Sequence, residues 1–371
     1  MRVIIDGRAL QGGSSVRGIG TYTRGLLSGI AELGRLADIA VLLQIGPSPP
    51  ELQQVTIDAV ARRVAVVQPT LQRMLDPILV ARALRDERAD VFHSVDLVQP
   101  WRATMPAVVT VHDLIPFRFP QWYRWARRSR LPALRRLRHA QRIIAVSHAT
   151  ARDVSYFAGV DPDAITVVPE GVSPRFTRAG DSEIASVCAT YGVKQPYLLA
   201  VGTFDPRKRI RMLAAMAASV RRQADVQLVI AGAQMKFQPH VEGAVRDAGI
   251  ANATRLLGHV GAGELRSLYS GAACLVFTSA YEGFGLPLLE AMACATPVVA
   301  CDNSSVPEVC GDAALLVPDG DASVMAAAVL SLIDIRGTRE EMARRSVAHA
   351  ARFTWKSTAD QTLAVYQGLL A

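Results

Sequence analysis

The sequence predicts an α/β fold of two doubly wound, Rossmann-like domains. Its 371 residues exceed one ordinary core and give a prior of about two domains. Short β-branched runs alternate with helix-length segments along the whole chain. That alternation stops once, at the polar stretch 173–182, and then restarts.

In the first half, Val3-Ile4-Ile5 reads as a strand, followed by a glycine-rich loop from Gly12 to Gly20 and a helical pattern from Tyr22. Further apolar runs at 39–43, 64–67, 90–93, 107–111 and 142–146 predict strands of a mostly parallel sheet covered by helices. Val167-Val168-Pro169-Glu170-Gly171-Val172 reads as one more strand ending in a turn, and the linker follows it. The second half repeats the architecture, with strands expected at 197–201, 226–231, 253–257, 273–277, 296–300 and 313–316 and helices at 211–221 and 322–333. Phe353-Thr354-Trp355 precedes a last amphipathic helix. The domains expected are 1–175, 176–353 and a terminal helix at 354–371.

Composition narrows the function. Half the residues are hydrophobic and 20% are charged, which suits packed cores rather than disorder. The longest nearly apolar stretch, 322–333, is too short for the ~18 residues of a membrane helix. Met1-Arg2 leads straight into a strand, so no export signal is expected. Five cysteines without a CxxC pair are expected as reduced cytoplasmic thiols, with no disulfide and no metal site. Neither a cofactor nor a nucleic-acid partner is expected.

Charge is uneven. Residues 1–180 hold 24 Lys and Arg against 15 Asp and Glu, while residues 181–371 hold 17 against 18. Residues 118–142 contain nine arginines and no acid, beside Trp122, Tyr123 and Trp125. Arg118, Trp122, Trp125, Arg127 and Arg128 therefore mark a surface for an acceptor or an anionic membrane, the plainer reading being a solvated basic face. Pro132 is expected to interrupt any long helix there.

The segment from Ser279 to Glu290, SAYEGFGLPLLE, is the most specific. Glu282 and Glu290 lie eight residues apart across a Gly-x-Gly loop, with Pro287 placed to begin a helix. Glycines let backbone approach a ligand and a helix start favours phosphate, so the two carboxylates are candidates to grip opposite parts of one extended ligand. The alternative is a tight strand-to-helix turn with solvated glutamates. Upstream, Gly202-Thr203-Phe204-Asp205-Pro206-Arg207-Lys208-Arg209 follows a strand and sets three cations where open α/β sheets bind ligands, which suits a diphosphate. Gly18-x-Gly20 lacks the third glycine of a dinucleotide fingerprint, since Thr23 stands there, and no P-loop is present. His112-Asp113 ends a strand on the ligand edge, where a neutral imidazole would exchange hydrogen bonds with a sugar hydroxyl.

These residues together resemble the family 4 retaining glycosyltransferases of GT-B architecture, two Rossmann-like domains facing a central cleft. The likeness runs from the glycine loop through His112-Asp113, 168–172 and 201–209 to Glu282–Val309, and is most specific in Tyr281-Glu282-Gly283-Phe284-Gly285-Leu286-Pro287, Glu290-Ala291-Met292-Ala293 and Pro297-Val298-Val299-Ala300. The resemblance implies that Glu290 binds the donor ribose, and that Glu282 with the backbone of Gly283, Phe284, Gly285 and Leu286 holds the transferred sugar. Arg207 and Lys208 would neutralise the leaving diphosphate beside Gly202, Gly18 and Gly20 would close over it, and His112 would face the donor sugar. Glu282, His112, Lys208 and Arg207 are thus the catalytic candidates, without a metal. The resemblance also implies that the terminal helix returns to the first domain.

Three positions depart from the usual pattern: Thr203 replaces an arginine, Glu170 an asparagine and Ala295 a glycine. The motif style is similar to that of bacterial mannosyl- and rhamnosyltransferases of surface polysaccharides, including lipopolysaccharide. GDP-mannose is therefore the first donor expected and a UDP- or dTDP-sugar the second, with a glycan or polyprenyl-linked acceptor at the inner face of the cell membrane. A GT-B phosphorylase, an epimerase or a non-catalytic carbohydrate-binding relative are the other readings.

Overall fold

Val3–Asp6 form strand β1 with all four residues buried, as a strand covered on both faces must be. The computed structural model describes residues 1–11, 18–43, 78, 80–82, 84, 89–97, 105–232, 237–334 and 336–371. The expected strand at 64–67 and residues 12–17 of the glycine loop lie outside them. The chain divides into two units, residues 1–171 with 354–371, and residues 172–353, so the break falls at Gly171 rather than after 175.

In the first unit helix α1 (Gly18–Glu32) follows β1, and strands β2 (Ile39–Leu42), β3 (Val91–Ser94) and β4 (Ala107–Val111) come next. Helices α2 (Ile115–Arg118) and α3 (Arg124–Arg136) precede β5 (Arg142–Ala145), α4 (His148–Ala158) and β6 (Ile165–Val167). These six strands form one sheet in the order β2-β1-β3-β4-β5-β6, parallel at every pairing.

Three expectations are corrected here. Strand β6 lies at Ile165–Val167, upstream of the run 167–172. Val168 makes the last ladder bond to Ala145, and Pro169 has no N–H to continue it. Helix α3 runs through Pro132 unbroken. The carbonyl to which the proline cannot donate, four residues back, belongs to Arg128, an exposed residue, while buried Leu134 and Leu137 anchor the far side. Helix α1 begins at Gly18 rather than near Tyr22, so Gly18 and Gly20 occupy its first turn, not a loop.

The second unit runs α5 (Asp181–Tyr191), β7 (Tyr197–Val201), α6 (Ile210–Arg221), β8 (Gln227–Ala231), α7 (Gln238–Asp247), β9 (Thr254–Gly258), α8 (Ala262–Gly271) and β10 (Cys274–Phe277). It continues with α9 (Leu286–Ala293), β11 (Val298–Cys301), α10 (Val306–Cys310), β12 (Leu315–Val317), α11 (Ala322–Asp334) and α12 (Arg336–Ala350). Its sheet has the order β12-β11-β10-β7-β8-β9, again all parallel. The strand order reverses between β7 and β10, and such a switch point leaves a crevice at the carboxyl ends of the two strands.

The last helix, α13 (Trp355–Gly368), belongs to the first unit and lies along α1. Close approach is possible because α1 presents Gly25 and Gly29 to Trp355: a Cβ built at Gly25 falls on the indole ring, and one at Gly29 on the Trp355 carbonyl. Buried Tyr366 completes the contact through a 2.6 Å hydrogen bond to His93 Nδ1 on β3.

Candidate active site

The loops after β7 and β10 meet at the switch point of the second unit. Asp205 caps a single 3₁₀ turn, Pro206–Lys208, by accepting from the Arg207 backbone N–H. This turn delivers Arg207 and Lys208 to the loop after β10. Lys208 Nζ lies 2.5 Å from Glu282 Oε1, and Arg207 Nη1 lies 2.6 Å from the same oxygen. Arg207 also donates to the Tyr281 carbonyl at 3.0 Å. Backbone ties lock the two loops: the Ala280 N–H donates to the Arg207 carbonyl at 2.8 Å, and the Thr278 hydroxyl to the Lys208 carbonyl at 2.7 Å.

Charge follows from this geometry. Burial alone would push the Glu282 carboxyl up, but Arg207 and Lys208 together outweigh it and hold the group down at about 2. Burial likewise draws Lys208 below the usual lysine value, with Glu282 opposing. The site is a buried carboxylate held by Lys208 and Arg207, with Asp205 a second carboxylate 3.4 Å from the Arg207 guanidinium.

A third loop, after β11, supports Glu282 from behind. The Glu282 N–H donates to Ser304 Oγ at 3.0 Å, and Ser305 Oγ donates to the Phe284 carbonyl at 2.6 Å and the Glu282 carbonyl at 3.1 Å. Phe204, Arg209 and Ser304, on the loops around Glu282, hold positive φ without being glycine, as does Ala295. Such backbone costs of order 1–3 kcal/mol persist where the surroundings enforce them, often at functional sites. The φ of +60° at Ala295 also explains the glycine usual at that position.

Glu290 sits in the second turn of α9, whose N-cap Gly285 adopts φ 113°. The Tyr269 hydroxyl of α8 donates to its Oε2 at 3.0 Å. Burial raises the Glu290 carboxyl to about 7, against the lowering effect of that hydrogen bond. Tyr269, Ser304 and Ser305 escaped sequence reasoning because each acts from another element, and no spacing connects Tyr269 to Glu290 or Ser304 to Glu282. Gly202, at φ 152°, directly follows β7 beside the Lys208 side chain.

In the first unit, His112 follows β4. Its Nδ1 lies 2.9 Å from Glu170 Oε1 and its Nε2 3.0 Å from the Val95 carbonyl oxygen. Both ring nitrogens face oxygen acceptors, and although burial opposes charge, Glu170, Asp96 and Asp113 raise the pKa above the ordinary value.

The basic aromatic segment divides in two. Arg118 is bidentate to Asp153 on α4, at 2.7 and 3.2 Å. Arg124, Arg127 and Arg128 line a shallow cavity with Pro120 and Gln121, flanked by Trp122 at 43% and Trp125 at 83% exposure. Among the described residues no helix is long and apolar enough to cross a membrane.

Residues 195–334 match the family model of Glycosyl transferases group 1, and residues 16–176 that of Glycosyltransferase Family 4. Over 308 residues, 80% of this chain and 78% of the relative, the sequence is 31% identical to the O-antigen chain mannosyltransferase B of Escherichia coli. The chain is a family 4 glycosyltransferase. This glycosyltransferase is also 31% identical over 237 residues to the D-inositol 3-phosphate glycosyltransferase of Segniliparus rotundus, covering 62% of this chain and 53% of that one, or about half its length. Its fold matches the crystal structure of Anabaena Alr3699/HepE in complex with UDP-glucose, with a TM-score of 0.77 at 19% identity over 99% of both chains. The two six-stranded parallel sheets are those of the GT-B fold.

Proposed function

We propose that this glycosyltransferase moves a hexose, mannose from GDP-mannose in the first place, to a hydroxyl of a glycan or polyprenyl-linked glycan with retention of anomeric configuration. The observation that carries the reading is the buried Glu282 carboxylate held on one oxygen by Lys208 and Arg207 at the switch point of the second sheet. Two cations gathered at the crevice, paired with the side chains of Glu282 and Asp205 that a bound anion can displace or share, suit a diphosphate, the group on which negative charge grows as the sugar departs. Glu282 and the backbone of Gly283, Phe284, Gly285 and Leu286 hold the sugar, Glu290 the ribose, and Gly202 lets backbone approach the phosphates. Gly18 and Gly20, in the first turn of α1, offer helix-start N–H groups to a phosphate.

In this mechanism the bond from C1 to the phosphate oxygen breaks while the acceptor oxygen bonds C1 on the same face. The acceptor proton passes to the departing phosphate, whose charge Arg207 and Lys208 meet without a metal. Mannose is favoured by the 31% identity to a mannosyltransferase over most of both chains. In a thermal-shift panel, GDP-mannose is expected to raise the melting temperature more than UDP- or dTDP-sugars; a larger shift with a UDP-sugar reassigns the donor.

The exposed Trp122 and Trp125 beside Arg124, Arg127 and Arg128 support the further reading that the enzyme works as a peripheral protein at an anionic membrane surface. Sedimentation with vesicles is expected to require anionic lipid and to weaken with salt and in Arg127→Ala/Arg128→Ala. Equal binding to neutral vesicles contradicts the assignment.

A further inference from the structure

The carboxyl edge of the first sheet carries a second close contact between a carboxylate and a basic side chain, His112 with Glu170. His112 leaves β4 with both ring nitrogens committed, Nδ1 to Glu170 Oε1 at 2.9 Å and Nε2 to the Val95 carbonyl at 3.0 Å. Neither partner can donate. A neutral imidazole owns one N–H and one lone pair, so either tautomer turns its lone pair toward an oxygen lone pair. Only the doubly protonated ring satisfies both contacts.

His93, on the neighbouring strand, supplies an internal contrast. Its nitrogens lie 2.6 Å from the Tyr366 hydroxyl and 2.7 Å from the Thr110 hydroxyl, and a hydroxyl can donate to a ring lone pair. Burial takes His93 down to about 3. The two histidines thus differ in what their ring nitrogens meet, hydroxyls that can donate at His93 and oxygens that only accept at His112.

Glu170 is itself held in place. The Thr358 hydroxyl of α13 donates to the Pro169 carbonyl at 2.8 Å, and Gly171 lies so close to the Thr354–Trp355 backbone that a Cβ there would collide with it. The start of α13 therefore positions the loop that presents Glu170. The titratable groups around His112 are Glu170 after β6, Asp96 after β3, the adjacent Asp113, His93 on β3 and, ring edge to ring at 4.7 Å, Tyr22 on α1. The three carboxylates favour the cation, and burial and His93 oppose it.

We propose that Glu170 is a positioning residue that holds His112 as a fixed imidazolium, a hydrogen-bond donor at both nitrogens, and so bars it from acting as a general base. A carboxylate on one histidine nitrogen is also the arrangement of general-base dyads, but there the other nitrogen keeps a lone pair for a hydroxyl proton. The Val95 carbonyl on Nε2 separates the two cases. What His112 can offer a ligand is an N–H, handed from that carbonyl to a sugar or phosphate oxygen.

The two roles predict opposite limbs in a pH profile. A base loses activity as pH falls and the ring is protonated; a fixed imidazolium loses it as pH rises through a pKa held above 6.5. ¹⁵N-histidine NMR of the full chain across about pH 5 to 8, with His112→Gln to assign the signal, reads the ring directly. Wild-type His112 is expected to stay doubly protonated above its ordinary value of 6.5, and in Glu170→Gln to titrate at least about one unit lower. Glu170→Asn carries the same comparison should Glu170→Gln fail to fold. A wild-type ring that is neutral at and below 6.5, or one whose titration is unmoved in the folded variants, overturns the proposal. The activity arm rests on the proposed transfer reaction: the alkaline limb of kcat/KM moves to lower pH in the same variants. The NMR arm requires no turnover, so failure of the transfer reading and failure of the imidazolium are distinguishable.

Discussion

Lys208→Ala is expected to lower the rate of glycosyl transfer about 10²- to 10³-fold, the usual cost of removing one group aimed at developing charge in a buried site. The substitution isolates that contribution because Arg207 remains 2.6 Å from Glu282 Oε1, so the carboxylate keeps a partner. Glu282→Ala is a poorer probe. It strips buried Lys208 of its carboxylate, and leaving a buried charge unpaired costs about 3–5 kcal/mol. Steady-state transfer with circular dichroism as the folding control checks the first effect. A folded Lys208→Ala enzyme within a few-fold of wild type would remove the lysine from the chemistry.

Gly29→Ala is expected to destabilise the first unit by about 3 kcal/mol, the upper part of the range for overpacking, because the obstacle is the Trp355 carbonyl and not a side chain that can swing away. The corresponding fall in melting temperature is about 6–12 °C for a unit of this size. Gly18→Ala, at the start of the same helix with nothing near its Cβ among the described residues, is the control. Calorimetry of the two variants distinguishes helix contact from helix propensity: a Gly29→Ala protein as stable as its control would mean that α13 does not depend on the glycine face of α1. The same contact underlies Glu170, since α13 holds the loop that carries it.

How much of this was legible in the sequence depends on range. Strands such as Tyr197–Val201 were readable because a buried parallel strand is a run of apolar residues with no polar alternation. The donor loop was readable because glycine, proline and glutamate must fall within a dozen residues for the chain to turn from β10 into α9. What could not be read is what arrives from elsewhere. Ser304 and Ser305 fix Glu282 from a loop more than twenty residues away. The charge on His112 depends on a carbonyl at Val95 and a carboxylate at Glu170, neither of which its local sequence reveals. Pro132 stopped a helix on paper because the rule treats every lost bond alike, whereas in the fold its carbonyl partner is exposed and buried leucines anchor the helix.

The most direct measurement of the central claim is the anomeric configuration of the first product. The full chain is incubated with an α-linked nucleotide sugar, GDP-mannose first, and a hydroxyl acceptor, and the new glycosidic linkage is followed by proton NMR as it forms. Retaining transfer at the Glu282, Arg207 and Lys208 site predicts an α-linked product at the earliest times, lost in Lys208→Ala. A β-linked product, or no linkage from any GDP-, UDP- or dTDP-sugar, contradicts it.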